Sequence, residues 1–462
     1  MKSAVGCRRH PEPAWPPSRP PSTTGHASSR AARRSVAQGP FRDLVAGGAD
    51  AAPLACSPVH ILYSYDTPLP DTGADTEQVV NTLSALARRG HRTELLIPGP
   101  GTGPGDSEAI RSYYQVQGDV AVHLLRWHYH GIRAFEKWSH ALRAPHHPAV
   151  APAELIYTRN LPGAWSFLRA GRRVVYEHFR PWGNQVPPLQ PFLRSILRHP
   201  NLVGAIFHSQ HSLESYRRLG VPDDRMLVAH NGWDPGRMEP RLTRAEARVR
   251  LGLEPDRFTT VYSGRMNARK GLDIVLEAAR SAPEMSFVLV GSEGDGPVEA
   301  EARKLSNVRI IPWQRFTDLA PWLYAADVLV IPPSLEPLQR HGNTVLPIKL
   351  FLYLAAGRVV LAPDAPDTAE LLSNGVNAAL VPAGDIRTTV STLRALAADP
   401  ARAEQLARGA LQTAANLTWD ARAANIEAFL HRRLANQPGP PHDGPWTVRA
   451  WLAECARWVL HI

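Results

Sequence analysis

The sequence predicts an α/β protein made of two doubly wound halves, each a parallel sheet covered by helices. Short β-branched or aromatic runs alternate with amphipathic helical patterns from Val59 onward. A second series of the same kind starts at Thr259, after a proline-containing crossing at residues 235–257. Hydrophobic residues make up 44% of the 462 residues, which is enough for two cores. We therefore expect two facing Rossmann-like domains that share a cleft at the carboxyl ends of their strands.

The first half, residues 58–236, opens with a β-α-β unit. A strand at 59–63 leads through a proline- and glycine-containing loop into a helix whose apolar face holds Val79, Leu83 and Leu86. Gly90 is expected to end this helix. Further strands are predicted at residues 93–97, 120–125, 155–157, 174–176, 205–207 and 227–229.

The second half, residues 237–418, repeats the alternation. After the run at Thr259, strands are predicted at residues 287–290, 308–311, 328–331, 359–362 and 378–381. Helices are expected at about 402–415 and 420–434, and residues 419–435 are interpreted as a terminal crossover helix.

Both ends of the chain differ from this pattern. Residues 1–57 are rich in Pro, Ser, Arg and Ala, and we expect them to be disordered, either as a transit-like segment or as an upstream extension. Residues 436–462 contain a Pro/Gly break and then an amphipathic tail with Trp451, Cys455, Trp458 and Ile462 at helical spacing. That tail is predicted to pack on the body or on a partner, and a peripheral contact with a membrane surface is the alternative.

Charge and cysteine content exclude several classes of protein. The net charge is +10, but residues 1–57 carry eight cations and three acids, and no basic stripe is interleaved with aromatic residues. We therefore expect no nucleic-acid partner. No window of ~18 apolar residues predicts a membrane span. Three cysteines near the ends predict neither a disulfide framework nor a metal site, and favour a cytoplasmic location.

The stretch from Thr259 to Gly271 carries the strongest chemical signal. A buried strand ends at Gly264, and Arg265, Arg269 and Lys270 then precede a helix that opens at Leu272. A glycine turn, cations and a helix N-terminus together form an anion site, for which a diphosphate is the natural ligand. On these residues alone, a solvated basic loop is an equally good interpretation.

Several motifs in order resemble the GT-B glycosyltransferases of the retaining GT4 type, across about residues 58–434. The donor-domain motifs are Ser-Gly-Arg-Met-Asn-Ala-Arg-Lys-Gly (263–271), Val-Leu-Val-Gly-Ser-Glu-Gly (288–294) and Lys-Leu-Phe-Leu-Tyr-Leu-Ala-Ala-Gly (349–357). In the first half, His-Ile-Leu-Tyr-Ser (60–64) and Asn-Gly-Trp-Asp (231–234) match the family's opening strand and its turn before the linker.

The resemblance implies roles for individual residues. Arg265 and Lys270 match the family's cation pair on the donor diphosphate, so neither a metal nor a cofactor is expected. His178 matches a cleft histidine that contacts the donor sugar. Close approach of the backbone to the donor is implied for four glycines, Gly73, Gly264, Gly291 and Gly294; a plain strand–helix turn explains Gly291 and Gly294 equally well. Trp313 is a candidate for stacking on the base, with a core role as its alternative.

The chain departs from the family at its Glu-x7-Glu motif. The position of the second glutamate, which binds the nucleotide ribose, is Leu352, and the position of the first is Thr344. Glu336 supplies the first carboxylate if residues 337–346 are an insertion, and Asn343, Thr344 and Lys349 are polar groups that could compensate. A lost hydrogen bond of this kind costs about 1–3 kcal/mol.

The predicted function is a retaining glycosyltransferase that moves a sugar from a nucleotide-sugar donor to a glycan, lipid-linked or small-molecule hydroxyl. Two alternatives stay open. One is a GT-B protein that has drifted from catalysis and binds a sugar nucleotide or a partner. The other is a different GT-B activity, such as a nucleotide-sugar epimerase.

Overall fold

The structure is a computed structural model that describes residues 57–126, 131–182, 188, 190–334, 346–366 and 368–436. Within these residues the chain forms one eight-stranded and one six-stranded sheet. The predictions made for Glu336, Asn343 and Thr344, for residues 1–56 and for the tail beyond 436 lie outside the described residues. None of the described helices combines the length and apolar composition needed to cross a bilayer.

The first sheet has the order β3-β4-β2-β1-β5-β6-β7-β8, and its pairs are parallel except for β3 with β4. Its strands are β1 (His60–Ser64), β2 (Arg92–Gly99), β3 (Gly103–Pro104), β4 (Val120–Arg126), β5 (Leu155–Thr158), β6 (Val174–His178), β7 (Leu202–Phe207) and β8 (Met226–Val228). The helices of this half are α1 (Ala74–Arg88), α2 (Ser107–Tyr114), α3 (Arg133–Arg143), α4 (Leu161–Arg169), α5 (Gln190–Leu197) and α6 (Gln210–Arg217). Strand β3 was not predicted, because a Gly-Pro pair carries no apolar alternation.

The second sheet is parallel throughout and has the order β11-β10-β9-β12-β13-β14. Its strands are β9 (Thr259–Ser263), β10 (Ser286–Ser292), β11 (Val308–Pro312), β12 (Val328–Val330), β13 (Val359–Pro363) and β14 (Ala379–Val381). The helices of this half are α7 (Arg244–Leu251), α8 (Leu272–Ser281), α9 (Pro297–Ala302), α10 (Phe316–Tyr324), α11 (Ile348–Ala356), α12 (Ile386–Ala398), α13 (Pro400–Ala414) and α14 (Trp419–Ala435). The predicted strands of both halves are all present in the structure.

Helix α7 lies inside the stretch at residues 235–257 that was interpreted as the interdomain crossing, and the sequence analysis did not predict a helix there. Thr243 and Glu246 form a reciprocal capping box at the start of the helix, and Gly252 ends it with a φ of 61°. Ala247 is buried in the core of the second half. Both capping signals were present in the sequence, but the neighbouring prolines obscured them.

Helix α14 returns to the first sheet after the second half is complete. Its buried residues Trp419, Ile426 and Phe429 belong to the same apolar cluster as Ile61 and Val79. Helix α14, which follows the last helix of the second half, therefore packs on the core of the first half and links the two halves.

Candidate functional site

The turn between β9 and α8 is held by hydrogen bonds from neighbouring strands and helices. The Ser263 amide donates to the Tyr353 hydroxyl of α11 at 2.7 Å, and the Gly264 amide donates to the Val290 carbonyl at 2.9 Å. The Tyr262 hydroxyl donates to the Arg265 carbonyl at 3.0 Å. The backbone that carries Arg265 is therefore positioned before any ligand arrives.

Glycines are required where the ends of β9 and β10 approach one another. Gly264 and Gly291 have φ values of 130° and 120°. A Cβ on Gly291 would lie 2.5 Å from the Gly264 carbonyl oxygen, which no side chain can tolerate. Gly294 also has a positive φ, 143°, but it faces open space. The first two glycines thus serve the close approach of two backbones at the sheet edge.

Arg265 reaches across the cleft and is already partnered. Its Nε lies 3.2 Å from a Glu293 carboxylate oxygen, and its guanidinium donates to the Thr72 hydroxyl in the loop after β1. Thr72 directly precedes Gly73, which comes before α1 and whose amide donates to Asp71 at 2.7 Å. An incoming anion would therefore compete with Glu293 for Arg265.

Lys270 and Lys349 are brought together from distant parts of the chain. The Lys349 ammonium lies 3.8 Å from the centre of the Tyr262 ring. It also packs against Gly264, because a Cβ added to Gly264 would lie only 2.7 Å from the Lys349 Nζ. Among the described residues, neither lysine has a carboxylate partner. Burial lowers the pKa of Lys349 well below its ordinary value, and the charge of Lys270 lowers it further. Although Lys270 is largely exposed, its pKa is lowered too, first by desolvation and then by Arg265.

The position of Lys349 in α11 makes its positive charge still less favourable. It is the second residue of the helix, where the dipole is positive, and the first turn contains no acid. Leu352, one turn later, is half-buried and packs on the core of the second half, so it offers the lysine no charge. A half-buried cation with a cationic neighbour at a helix N-terminus is a site that an anion would stabilise.

His178 ends β6 on the opposite side of the cleft and is buried. Its Nδ1 lies 2.8 Å from the Tyr216 hydroxyl and 3.0 Å from the Arg180 carbonyl oxygen, and its ring is 4.2 Å from Trp182 between centroids. Burial holds the pKa of His178 well below its usual range, so the ring is neutral near pH 7. A neutral imidazole suits a hydrogen bond to a sugar hydroxyl.

Behind His178 lies a buried polar network that the sequence pattern did not reveal. Glu177 accepts from Arg422 of α14, from His208 at 2.8 Å and from Gln78 at 2.9 Å. Burial acts to raise the pKa of Glu177, but Arg422 and His208 outweigh it and hold that pKa below its usual range. Glu177 therefore acts as an ionised anchor between α14 and the first sheet.

Arg159 is a second group that sequence reasoning missed. It follows β5, donates to Gln78 at 2.9 Å and lies 5.1 Å from the centre of the Phe179 ring. The only signal in the sequence was its place two residues after the strand predicted at 155–157, where an arginine can lie on the rim of the cleft.

Trp313 borders an open pocket of about 930 Å³ beside the ends of β10 and β11. The indole is partly exposed and meets Phe316 edge-on at 6.4 Å between centroids. Glu293, the partner of Arg265, also lines this pocket, as does Gly294. The pocket therefore opens beside the cation cluster, and Trp313 is accessible rather than part of the core.

One group of potential metal ligands occurs among the described residues, and its chemistry does not suit a metal. The ligand atoms of His91, Glu427 and His431 lie within 4.8 Å of one another. However, His91 Nδ1 accepts from the Val59 amide at 3.2 Å, so in the neutral ring Nε2 carries the proton. That nitrogen faces Glu427 at 3.3 Å as a donor and has no free lone pair.

Comparison with known proteins agrees with this architecture. The sequence model described as "Glycosyl transferases group 1" matches residues 257–399, and "Glycosyltransferase Family 4" matches residues 76–237. D-inositol 3-phosphate glycosyltransferase 1 of Catenulispora acidiphila is 28% identical over 48% of this chain and 55% of its own length. The corresponding protein of Thermobispora bispora is 30% identical over 45% of this chain and 50% of its own. The chain thus spans about half the length of these curated relatives.

Solved structures share the fold at low sequence identity. Sucrose-phosphate synthase from Thermosynechococcus elongatus superposes with a TM-score of 0.64 at 19% identity, covering 82% of this chain and 99% of that one. Anabaena HepE in complex with UDP and glucose superposes with a TM-score of 0.57 at 18% identity, covering 82% of this chain and 99% of that one. Two predominantly parallel sheets, the matched motifs and both family matches lead to one conclusion: the chain has the GT-B fold, with a family 4 glycosyltransferase domain matched at residues 76–237 and a group 1 glycosyltransferase domain matched at residues 257–399.

Proposed function

We propose that the protein is a retaining glycosyltransferase that transfers a sugar from a nucleotide-sugar donor to a hydroxyl acceptor in glycan, polysaccharide or glycolipid synthesis. The observation that carries the proposal is the meeting of Arg265, Lys270 and Lys349 at the end of β9. Like charges are held together there at an electrostatic cost that a diphosphate would remove.

The proposed chemistry follows from the charge that develops during the reaction. Cleavage of a glycosyl–phosphate bond places negative charge on the leaving diphosphate, and fixed cations aimed at it stabilise the transition state. In a retaining reaction the leaving phosphate accepts the acceptor's proton on the same face of the sugar. Neutral His178, held by Tyr216 and Arg180, would orient the donor sugar from across the cleft.

The relatives suggest which donors and acceptors to test first. HepE was solved with UDP, so uridine diphosphate sugars are the first donors to try. The relatives are D-inositol 3-phosphate glycosyltransferases, so a phosphorylated polyol is the first acceptor to test. Neither choice is needed for the diphosphate assignment itself.

The test is transfer or hydrolysis with a panel of nucleotide sugars, using wild type, Arg265→Ala and Lys270→Ala. Loss of one such stabilising group should reduce turnover at saturating donor about 100-fold to 1,000-fold. Arg280→Ala is the matched control, because Arg280 is exposed on α8 and pairs only with Glu277 of the same helix among the described residues. Near-normal turnover in either cleft variant would remove the diphosphate assignment.

The second candidate function is a protein that has drifted from catalysis, and Leu352 is the observation that favours it. A Glu at 352 would stand one turn from Lys349 and could accept from both ribose hydroxyls. If the donor contacts are merely rearranged, Leu352→Glu should leave nucleotide affinity within about tenfold of wild type. Calorimetric titration with nucleoside diphosphates distinguishes the two, since binding that appears only in the variant would favour the drifted protein.

A further inference from the structure

Lysine is rare in this chain, yet two lysines lie close together at the end of β9. Of the 52 Lys and Arg residues only five are lysines, namely Lys2, Lys137, Lys270, Lys304 and Lys349. Lys349 and Lys270 are near enough for the charge of Lys270 to act on Lys349. Arginine stays charged in proteins, whereas lysine can lose its proton and then act as a nucleophile. These two lysines therefore bring to the site a chemistry that the abundant arginines cannot supply.

The surroundings of Lys349 favour its uncharged amine. The nitrogen lies 3.8 Å from the centre of the Tyr262 ring and beside Gly264, and the side chain is half-buried rather than sealed in the core. Among the described residues no carboxylate pairs with it. Burial and then the charge of Lys270 lower its pKa well below the ordinary value. Desolvation and a second cation are the two conditions that activate a lysine amine as a nucleophile.

Two cations near this amine can hold a phosphate. Arg265 and Lys270 both follow β9, and desolvation and then the charge of Arg265 lower the pKa of Lys270. Helix α11 begins at Ile348, so its N-terminal end adds partial positive charge beside Lys349. A phosphate bound there would relieve the repulsion between like charges. In an acyl phosphate the reactive carbonyl carbon is bonded directly to a phosphate oxygen, so binding of the phosphate would bring that carbon to the amine.

We propose that Lys349 is a modification site that takes an acyl group from a small acyl phosphate held by Lys270 and Arg265. The neutral amine attacks the carbonyl carbon, an amide bond forms, and the bond between that carbon and the phosphate oxygen breaks. The amine gives up one proton, which the departing inorganic phosphate accepts, so no further reactant is needed.

Acylation would act as a switch on the donor site. The amide carries no charge, so the modification removes one cation from the cluster and removes the contact between the ammonium and the Tyr262 ring. Binding of a diphosphate should weaken as a result. This consequence rests on the proposed function, whereas the acylation itself does not.

The test is incubation of the full chain with acetyl phosphate at neutral pH, followed by peptide mass spectrometry of all five lysines. Lys304 is the matched control, because it is exposed and its ammonium lies 2.6 Å from a Glu301 carboxylate oxygen. We expect Lys349 to be acetylated at least about tenfold faster than Lys304, since each unit by which a pKa falls raises the neutral fraction about tenfold. Inorganic pyrophosphate, an unreactive anion, should slow the reaction of Lys349 at least about tenfold and leave Lys304 unchanged.

Two variants separate the nucleophile from its neighbour. Lys270→Met should slow the acetylation of Lys349 at least about fivefold, because phosphate binding weakens and the pKa of Lys349 rises. Lys349→Arg keeps a positive charge but cannot be acylated. Acetyl phosphate should lower the nucleoside diphosphate affinity of wild type about tenfold or more, whereas any affinity that Lys349→Arg retains should survive the same treatment. Circular dichroism of each variant reports separately on folding.

Any of three results would overturn the proposal: equal acetylation rates at Lys349 and Lys304, an acetyl group on Lys270 in place of Lys349, or a reaction at Lys349 that pyrophosphate does not slow. A protein that is acetylated rapidly at Lys349, with protection by pyrophosphate, but that binds no nucleoside diphosphate would support the modification site and contradict the proposed function.

Discussion

Replacing Lys349 with Met should stabilise the free protein and weaken its binding of nucleotide. Methionine keeps the length and packing of the side chain against Tyr262 but removes the charge. The folded state lowers the pKa of Lys349, so at neutral pH the protonated lysine is less favourable in the folded chain than in the unfolded one. Removal of the ammonium therefore removes a cost that only a bound anion offsets.

The expected magnitudes are measurable. An uncompensated buried polar group costs about 1–3 kcal/mol, and partial exposure of Lys349 places it near 1 kcal/mol. For a domain of about 150–250 residues this raises the unfolding midpoint by roughly 2–4 °C. Nucleoside diphosphate at 100 times its dissociation constant should stabilise wild type by about 2.7 kcal/mol. If Lys349→Met loses one charged hydrogen bond to the nucleotide, about 1.5–3 kcal/mol, the same nucleotide concentration stabilises the variant by only roughly 0.3–1.3 kcal/mol.

The assay is thermal unfolding with and without uridine, guanosine, adenosine or thymidine diphosphate. Lys304→Met is the matched control, because Lys304 is exposed and pairs only with Glu301 among the described residues. Only Lys349→Met should depart from wild type: it melts at a higher temperature when free and gains less stability from nucleotide, whereas Lys304→Met follows wild type in both respects. A Lys349→Met protein that melts lower than wild type and keeps its full nucleotide shift would refute this reasoning.

Two further predictions concern stability. Gly291→Ala should lower the free energy of unfolding, measured with denaturant, by about 3 kcal/mol or more, because the added Cβ would clash with the Gly264 carbonyl and the φ of residue 291 is positive. Gly294→Ala is the control: it meets only backbone strain and should lose about 1–2 kcal/mol. Equal losses in the two variants would contradict the steric argument. Burial lowers the pKa of His140 to about 4, so the folded protein keeps this histidine neutral at pH values where the unfolded chain begins to protonate it. The free energy of unfolding should therefore fall by up to about 3 kcal/mol as the pH drops from 6.5 to 4. Denaturant titration at each pH should show that His140→Gln lacks this fall in the free energy of unfolding. Identical pH profiles for the variant and wild type would show that His140 does not titrate as described.

The sequence by itself determined most of the secondary structure and its order, because those depend on local patterns; strand β3 and helix α7 were the exceptions. The run from Thr259 to Ser263, the turn at Gly264 and the helix from Leu272 follow from β-branching, a positive φ and apolar spacing within a few residues. Arg265 and Lys270 could be selected because they occupy fixed places in that local pattern. The capping box of α7 was also local, and it was missed only because prolines surround it.

Only the tertiary structure decided which groups share the site. Lys349 lies on α11 but packs against Gly264 and is close enough to Lys270 to feel its charge. Arg265 donates a hydrogen bond to Thr72 in the other half of the molecule. Arg422 is bonded to Glu177 across 245 residues of chain. Such contacts depend on loop paths and on the packing of α14 against the first sheet, which residue spacing does not encode. The same holds for α3, where only packing shows that Phe135, Trp138 and Leu142 are exposed while Glu136 and His140 are buried.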